Sequence, residues 1–137
     1  MPGLHIGLTG SRDATVTADM LASNVGSGTV AVFSTAMLVA LLEGTAVNLV
    51  QELLDDGQTT VGTAINITHI AATPQDMEVH FFAELTGISA NGKGLTFKVW
   101  ARDAVDTIAE GSHQRVIVNK KTFEAKTVAK GQRSRQG

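Results

Sequence analysis

One carboxylate, Glu43, stands alone between Met20 and Gln51, inside the apolar run AVFSTAMLVALLEGTAVNLVQELL. A second charge-free stretch, Gly57 to Gln75, reads GQTTVGTAINITHIAATPQ and holds a single ionisable group, His69. An unpaired carboxylate in an apolar interior is strongly unfavourable, so such a group shifts its pKa or finds a partner. Glu43 and His69 are therefore candidates to meet at one site, because perturbed titratable groups concentrate where chemistry happens. A partly buried carboxylate gains basicity and can serve as general base or nucleophile toward a carbonyl. The competing role for Glu43 is an ion pair with Arg102 or Arg115, and for His69 that of a satisfied core histidine. Thr35, eight residues before Glu43, reads first as a helix N-cap, as does Ser34.

These residues must be held by the elements that the sequence pattern predicts. Arg12 to Ala18 suggests a first strand, and Asn24 to Thr29 a glycine-rich loop. From Ser34 or Thr35 a helix apolar on nearly every face should run to about Leu54 and stop at Asp55-Asp56-Gly57. The period then becomes two. Thr63, Ile65, Ile67 and His69 share one strand face, and Ala64, Asn66 and Thr68 the other. Met77 to Leu85 alternates cleanly, Asn91-Gly92 with Gly94 marks a hairpin, and Leu95 to Arg102 alternates again. A last strand spans Thr107 to Asn119. The expectation is an α+β fold: an antiparallel sheet wrapped around one long central helix. Residues 1–126 form one domain, and 127–137 a basic, flexible tail. If Thr35 and Glu43 are both helical, ~12 Å of helix rise separates them. Either substrate lies between them or the site joins two subunits.

Composition narrows the chemistry. At 137 residues and 43% hydrophobic, the chain suits one globular domain. With no Cys there is no disulfide, thiolate ligand or thiol nucleophile, and a cytoplasmic setting fits. The start, MPGLHIGLTGSRDA, lacks the basic and apolar regions of a signal peptide. Val30 to Leu42 is too short to span a bilayer, and Glu43 interrupts it, so no membrane partner is expected. Net charge is -2 and aromatics are 4%, which argues against nucleic acid. Six of the eleven Lys and Arg fall in the last 18 positions, a solvated tail or a patch for substrate phosphates. No Gly-x-Ser-x-Gly elbow or phosphate loop occurs, and His5, His69, His80 and His113 show no metal-ligand spacing. Open sheet edges call for a partner, so a homodimer or a dimer of dimers is expected.

The strings VFSTAMLVALLEGTA, VGTAINITHIAATP and GSHQRVIVNKKTFEAK resemble the hotdog-fold thioesterase family that includes fluoroacetyl-CoA thioesterase. The resemblance runs from about Val32 to Lys126 and rests on the spacing of Thr35, Glu43, Gly62, His69 and Arg115. It implies hydrolysis of a small acyl-CoA to acid and CoA, at sites on the subunit boundary. It also implies a catalytic set of Thr35, Glu43 and His69, with His69 polarising the thioester carbonyl. Gly62 would let backbone approach the acyl group, unless it is simply a strand-edge or bulge glycine. Arg115 would sit near the site, unless a cross-strand pair with Glu84 or Glu110 holds it. No metal or cofactor is implied beyond the CoA of the substrate. One departure concerns specificity. The fluoroacetyl-specific enzyme has an aromatic-rich lid, whereas Asn24 to Val32 here has no ring, leaving Phe33 as the aromatic contact for substrate. The alternative is a hotdog module that binds acyl-CoA without hydrolysing it. A hydratase would want an Asp–His pair that is not evident.

Overall fold

The computed structural model describes residues 3–136. Its elements are β1 (Thr9–Thr15), α1 (Ala22–Val25), α2 (Thr35–Val50), β2 (Gln58–His69), β3 (Glu78–Ile88), β4 (Gly94–Arg102), β5 (Thr107–Asn119) and α3 (Lys120–Gln136). The strands make one antiparallel sheet in the order β1-β3-β4-β5-β2, so β1 and β2 are its edges. α2 lies across one face of it, as the pattern of sequence predicted. Leu38, Leu42, Ala46 and Val50 form its buried stripe, packed against Val79, Phe81, Ala83 and Leu85 of β3 and Leu95, Phe97, Val99 and Ala101 of β4.

Thr35–Leu53 is long and apolar enough to cross a membrane by length and composition. Its inward stripe is packed on the sheet, which is the arrangement of a core helix. Thr35, Ala36, Ala40 and Asn48 are exposed on its outer side, and most of the other residues outside that stripe are half-buried.

Several boundaries differ from the sequence reading. β1 begins at Thr9, because its partner strand β3 supplies a ladder from Glu78 to Glu84 that propensity alone does not reveal. α2 ends at Val50 and tightens into a 3-10 turn, Gln51–Leu53; Gly57, at φ 81°, serves the turn into β2 instead of capping the helix. The hairpin at Asn91-Gly92 is present, with Gly92 at φ 77°. The residues assigned to a flexible tail, 127–137, continue helix α3 as far as Gln136, the last residue described. α3 buries none of its residues, and Phe123 and Val128 on it are exposed.

The most consequential difference is a bulge in β2 between Gly62 and Ala64, opposite Arg115 and Gln114 of β5. Strand faces alternate with strict period two, so one extra residue shifts everything beyond it to the opposite face. Strict alternation puts Gly62 on the face away from His69. With Thr63 as the extra residue, Gly62, Ile65, Ile67 and His69 all turn toward α2.

Candidate active site

Ser34, not Thr35, is the N-cap of α2: its hydroxyl accepts from Met37 N at 3.1 Å. Thr35 is thereby free of capping duty, and its Oγ1 lies 2.7 Å from His69 Nδ1 at the end of β2. Phe33 meets the His69 ring edge-on, with centroids 6.5 Å apart, and is itself buried against Phe81. His69 Nε2 is buried and has no hydrogen-bond partner. Desolvation lowers the His69 pKa below its ordinary 6.5, and a backbone group of Ala71 opposes the shift. The imidazole is therefore neutral near pH 7. An open cleft of about 330 Å³ lies here, lined by Val32, Phe33, Thr35, His69 and Ala71.

Two turns further along α2, Glu43 forms a second group. Its Oε2 is 3.8 Å from Arg115 NH1, and its side chain is 39% exposed in the single chain. The sequence placed this carboxylate in the interior; its helix is buried on one stripe only, and Glu43 stands at the margin. Arg115 is nearly buried and is clamped by Thr60, with Nε donating to Thr60 Oγ1 at 2.7 Å and NH2 to Thr60 O at 2.9 Å. Burial works against the Arg115 charge, and Glu43 supports it. The anticipated partners Glu84 and Glu110 are not used. Gly62 lies against this group: a Cβ there would come within 3.1 Å of Glu43 Oε2 and 3.2 Å of Arg115 NH1.

The chain thus holds two separate groups: Phe33, Thr35 and His69 in one, and Glu43, Gly62 and Arg115 in the other. No hydrogen bond joins them, and Glu43 does not line the cleft beside His69. Thr60 and His113 were not singled out from the sequence, yet both touch Arg115. The available signal was alternation on β5, which puts His113 and Arg115 on one inward face. His80 lies on the opposite face, half-exposed, with Nδ1 2.6 Å from Asp13 and Nε2 3.4 Å from Glu78. Those three offer ligand-type atoms within 4.8 Å of one another, apart from either of these groups.

The family model described as fluoroacetyl-CoA-specific thioesterase, FlK, matches residues 16–121, a span that contains both groups. The fluoroacetyl-CoA thioesterase of Streptantibioticus cattleyicolor is 40% identical over 95 residues, 69% of this chain and 67% of that protein. A crystal structure of the fluoroacetyl-CoA thioesterase FlK superposes with a TM-score of 0.88 at 31% identity, covering 94% of this chain and 98% of that one. A Thermus thermophilus hypothetical protein of the thioesterase superfamily superposes over the full length of both chains, with TM-score 0.90 at 22% identity, and speaks for the fold alone. The chain therefore belongs to the fluoroacetyl-CoA-specific thioesterase family, a group of hotdog-fold thioester hydrolases.

Proposed function

We propose that the protein hydrolyses small acyl-CoA thioesters to the acid and CoA, at a site that two protomers share. The observation that carries this reading is the 2.7 Å contact from Thr35 Oγ1 to His69 Nδ1, beside a buried Nε2 with no partner. When the Thr35 hydroxyl donates to Nδ1, the proton of the neutral imidazole resides on Nε2. That donor then has no well-formed hydrogen bond, only a weak backbone influence from Ala71, and is available to a thioester carbonyl oxygen. Negative charge developing on this oxygen is stabilised by a preorganised donor in a dry setting.

Glu43 supplies the other half, as base toward water or by direct attack on the carbonyl carbon. With water, its proton passes to Glu43, hydroxide adds to the carbonyl, the C–S bond breaks and CoA departs as thiolate. Thiol pKa values lie near ~8.5, so the leaving group needs little acid help. All of these groups must act on one carbonyl, within hydrogen-bond reach or through one water. Within a chain, ~12 Å of helix rise separates Thr35 from Glu43. Pairing two protomers along the free edge of β2 would bring Glu43 of one toward His69 of its partner. The same pairing would cover the exposed side of α2. We assign no metal to any step.

The acyl group is small and need not be fluorinated. The segment before α2 folds back on α1 through Ala22 N to Val32 O at 2.8 Å and Ser23 N to Val30 O at 3.2 Å. It carries no ring to read fluorine, and Phe33 faces His69 from a buried position. A panel of acyl-CoA substrates, read by release of free thiol, tests the proposal. Acetyl-CoA and fluoroacetyl-CoA should both be hydrolysed, with kcat/KM values within about tenfold of one another. Glu43→Gln and His69→Ala should each lower kcat by about 10²-fold. Tight binding of acyl-CoA without release of thiol would make the protein a binding module.

A further inference from the structure

His113 takes no part in the chemistry above, yet it is 1% exposed and spends both ring nitrogens on fixed partners. Its Nδ1 is 2.8 Å from Ala64 O, next to the β2 bulge. Its Nε2 is 3.1 Å from Arg115 NH1. A carbonyl oxygen only accepts, so Nδ1 must carry the proton. A guanidinium only donates, so Nε2 must carry the lone pair. One protonation state satisfies both contacts: neutral imidazole with its proton on Nδ1.

We propose that His113 is a positioning residue that, through this tautomer, holds the Arg115 guanidinium toward Glu43. The inference rests on the reading of Glu43 as the reacting carboxylate. Thr60 fixes the Nε and NH2 side of the guanidinium, and His113 fixes NH1, the nitrogen 3.8 Å from Glu43 Oε2. Without an acceptor at the His113 Nε2 position, NH1 is a buried donor free to swing away from Glu43. The charged groups around His113 are Arg115 and Glu43. Burial is the main influence lowering its pKa, with the Arg115 charge acting in the same direction and the Ala64 contact and Glu43 opposing. Space filling alone does not require a histidine here. An apolar side chain could pack on Phe97, whose ring centroid is 6.1 Å away, but would orphan both Ala64 O and Arg115 NH1.

Two substitutions separate the roles. His113→Gln keeps an acceptor in reach of Arg115 and surrenders the Ala64 contact, whereas His113→Asn keeps a short donor toward Ala64 O and loses the acceptor. We expect His113→Gln to retain kcat within about threefold and His113→Asn to lower it about tenfold or more, with KM little changed in both. In an Arg115→Ala background, His113→Asn should have no further effect on kcat. Equal losses in the two variants, or a full additional loss in that background, would overturn the proposal. ¹⁵N NMR of the unmodified protein provides a readout that needs neither folding of a variant nor activity. The Nδ1–H neutral tautomer of His113 is expected at about pH 6, where a free histidine is largely protonated. An imidazolium or the Nε2–H tautomer there sinks the clamp. If no acyl-CoA is hydrolysed, the functional reading fails, and the NMR result still decides how His113 holds Arg115.

Discussion

The smallest side chain near the site makes one of the sharpest demands. A methyl group at position 62 would stand 3.1 Å from Glu43 Oε2, 3.2 Å from Arg115 NH1 and 3.4 Å from His113 Cε1. All three are side-chain atoms that can give by a few tenths of an ångström. Gly62→Ala should therefore fold, with a melting temperature within a few degrees of the parent, while thiol release falls about tenfold or more as Glu43 and Arg115 are pushed apart. Titration acts at this scale too. His69 and His113 both have pKa values below the ordinary 6.5, chiefly through burial. Well above pH 6.5 folded and unfolded chains are both deprotonated at these positions, so they no longer make stability vary with pH. As pH falls below 6.5 the unfolded chain takes up protons that the folded chain refuses, and stability declines until the folded pKa values are passed. Urea midpoints measured from about pH 7.5 down to about pH 5 should fall, and His113→Gln should flatten that decline.

Elements decide where these side chains point. The hydroxyls of Ser34 and Thr35 are adjacent in sequence and do different work, one capping α2 and the other meeting His69. Ser34→Ala should lose about 1 kcal/mol of stability, the usual effect of removing a cap, with kcat largely kept. Thr35→Ala should do the reverse, keeping the melting temperature and losing turnover. The β5–β2 ladder depends on Gly111, where a Cβ would stand 1.9 Å from the backbone oxygen of Asn66. Backbone cannot move aside as a side chain does. Gly111→Ala should lower stability by about 3 kcal/mol or more by forcing the strands apart, as chemical denaturation would show. α3 carries six basic residues and one acid, Glu124, and buries none of its residues. Truncation after Lys126 should leave kcat unchanged. Any rise in KM should shrink in high salt, where exposed charges are screened.

For the whole molecule, β2 is a free edge of the sheet and the outer side of α2 is only partly covered in the single chain. Light scattering should give at least twice the 14.3 kDa chain mass. Subunit mixing tests the shared site directly. If Glu43 and His69 of different protomers share a site, as proposed, the Glu43→Gln and His69→Ala dimers should each be impaired. A mixed dimer should then have one site with both native residues and one with neither. Mixing them after unfolding and refolding should restore about a quarter of native activity, the share expected for random pairing in a two-fold dimer. If activity stays at the level of the separate variants, each site lies within one chain.

The residue types and their alternation were enough to place a long apolar helix against a meander of strands, because periodicity of 3.6 and of 2 is a local property. The same local pattern singled out Glu43 and His69 as lone ionisable groups in charge-free stretches. Three matters were beyond it. A bulge was one reading of Gly62, but that Thr63 is the extra residue, which turns Gly62 to the face of His69, is set by cross-strand pairing with Arg115 and Gln114. Glu43 is half-exposed because only one stripe of α2 meets the sheet, and no count of apolar neighbours in sequence reveals which stripe that is. His113 looked like one more scattered histidine. Its role depends on a carbonyl 49 residues away and a guanidinium held by Thr60, contacts that exist only once β2 lies beside β5.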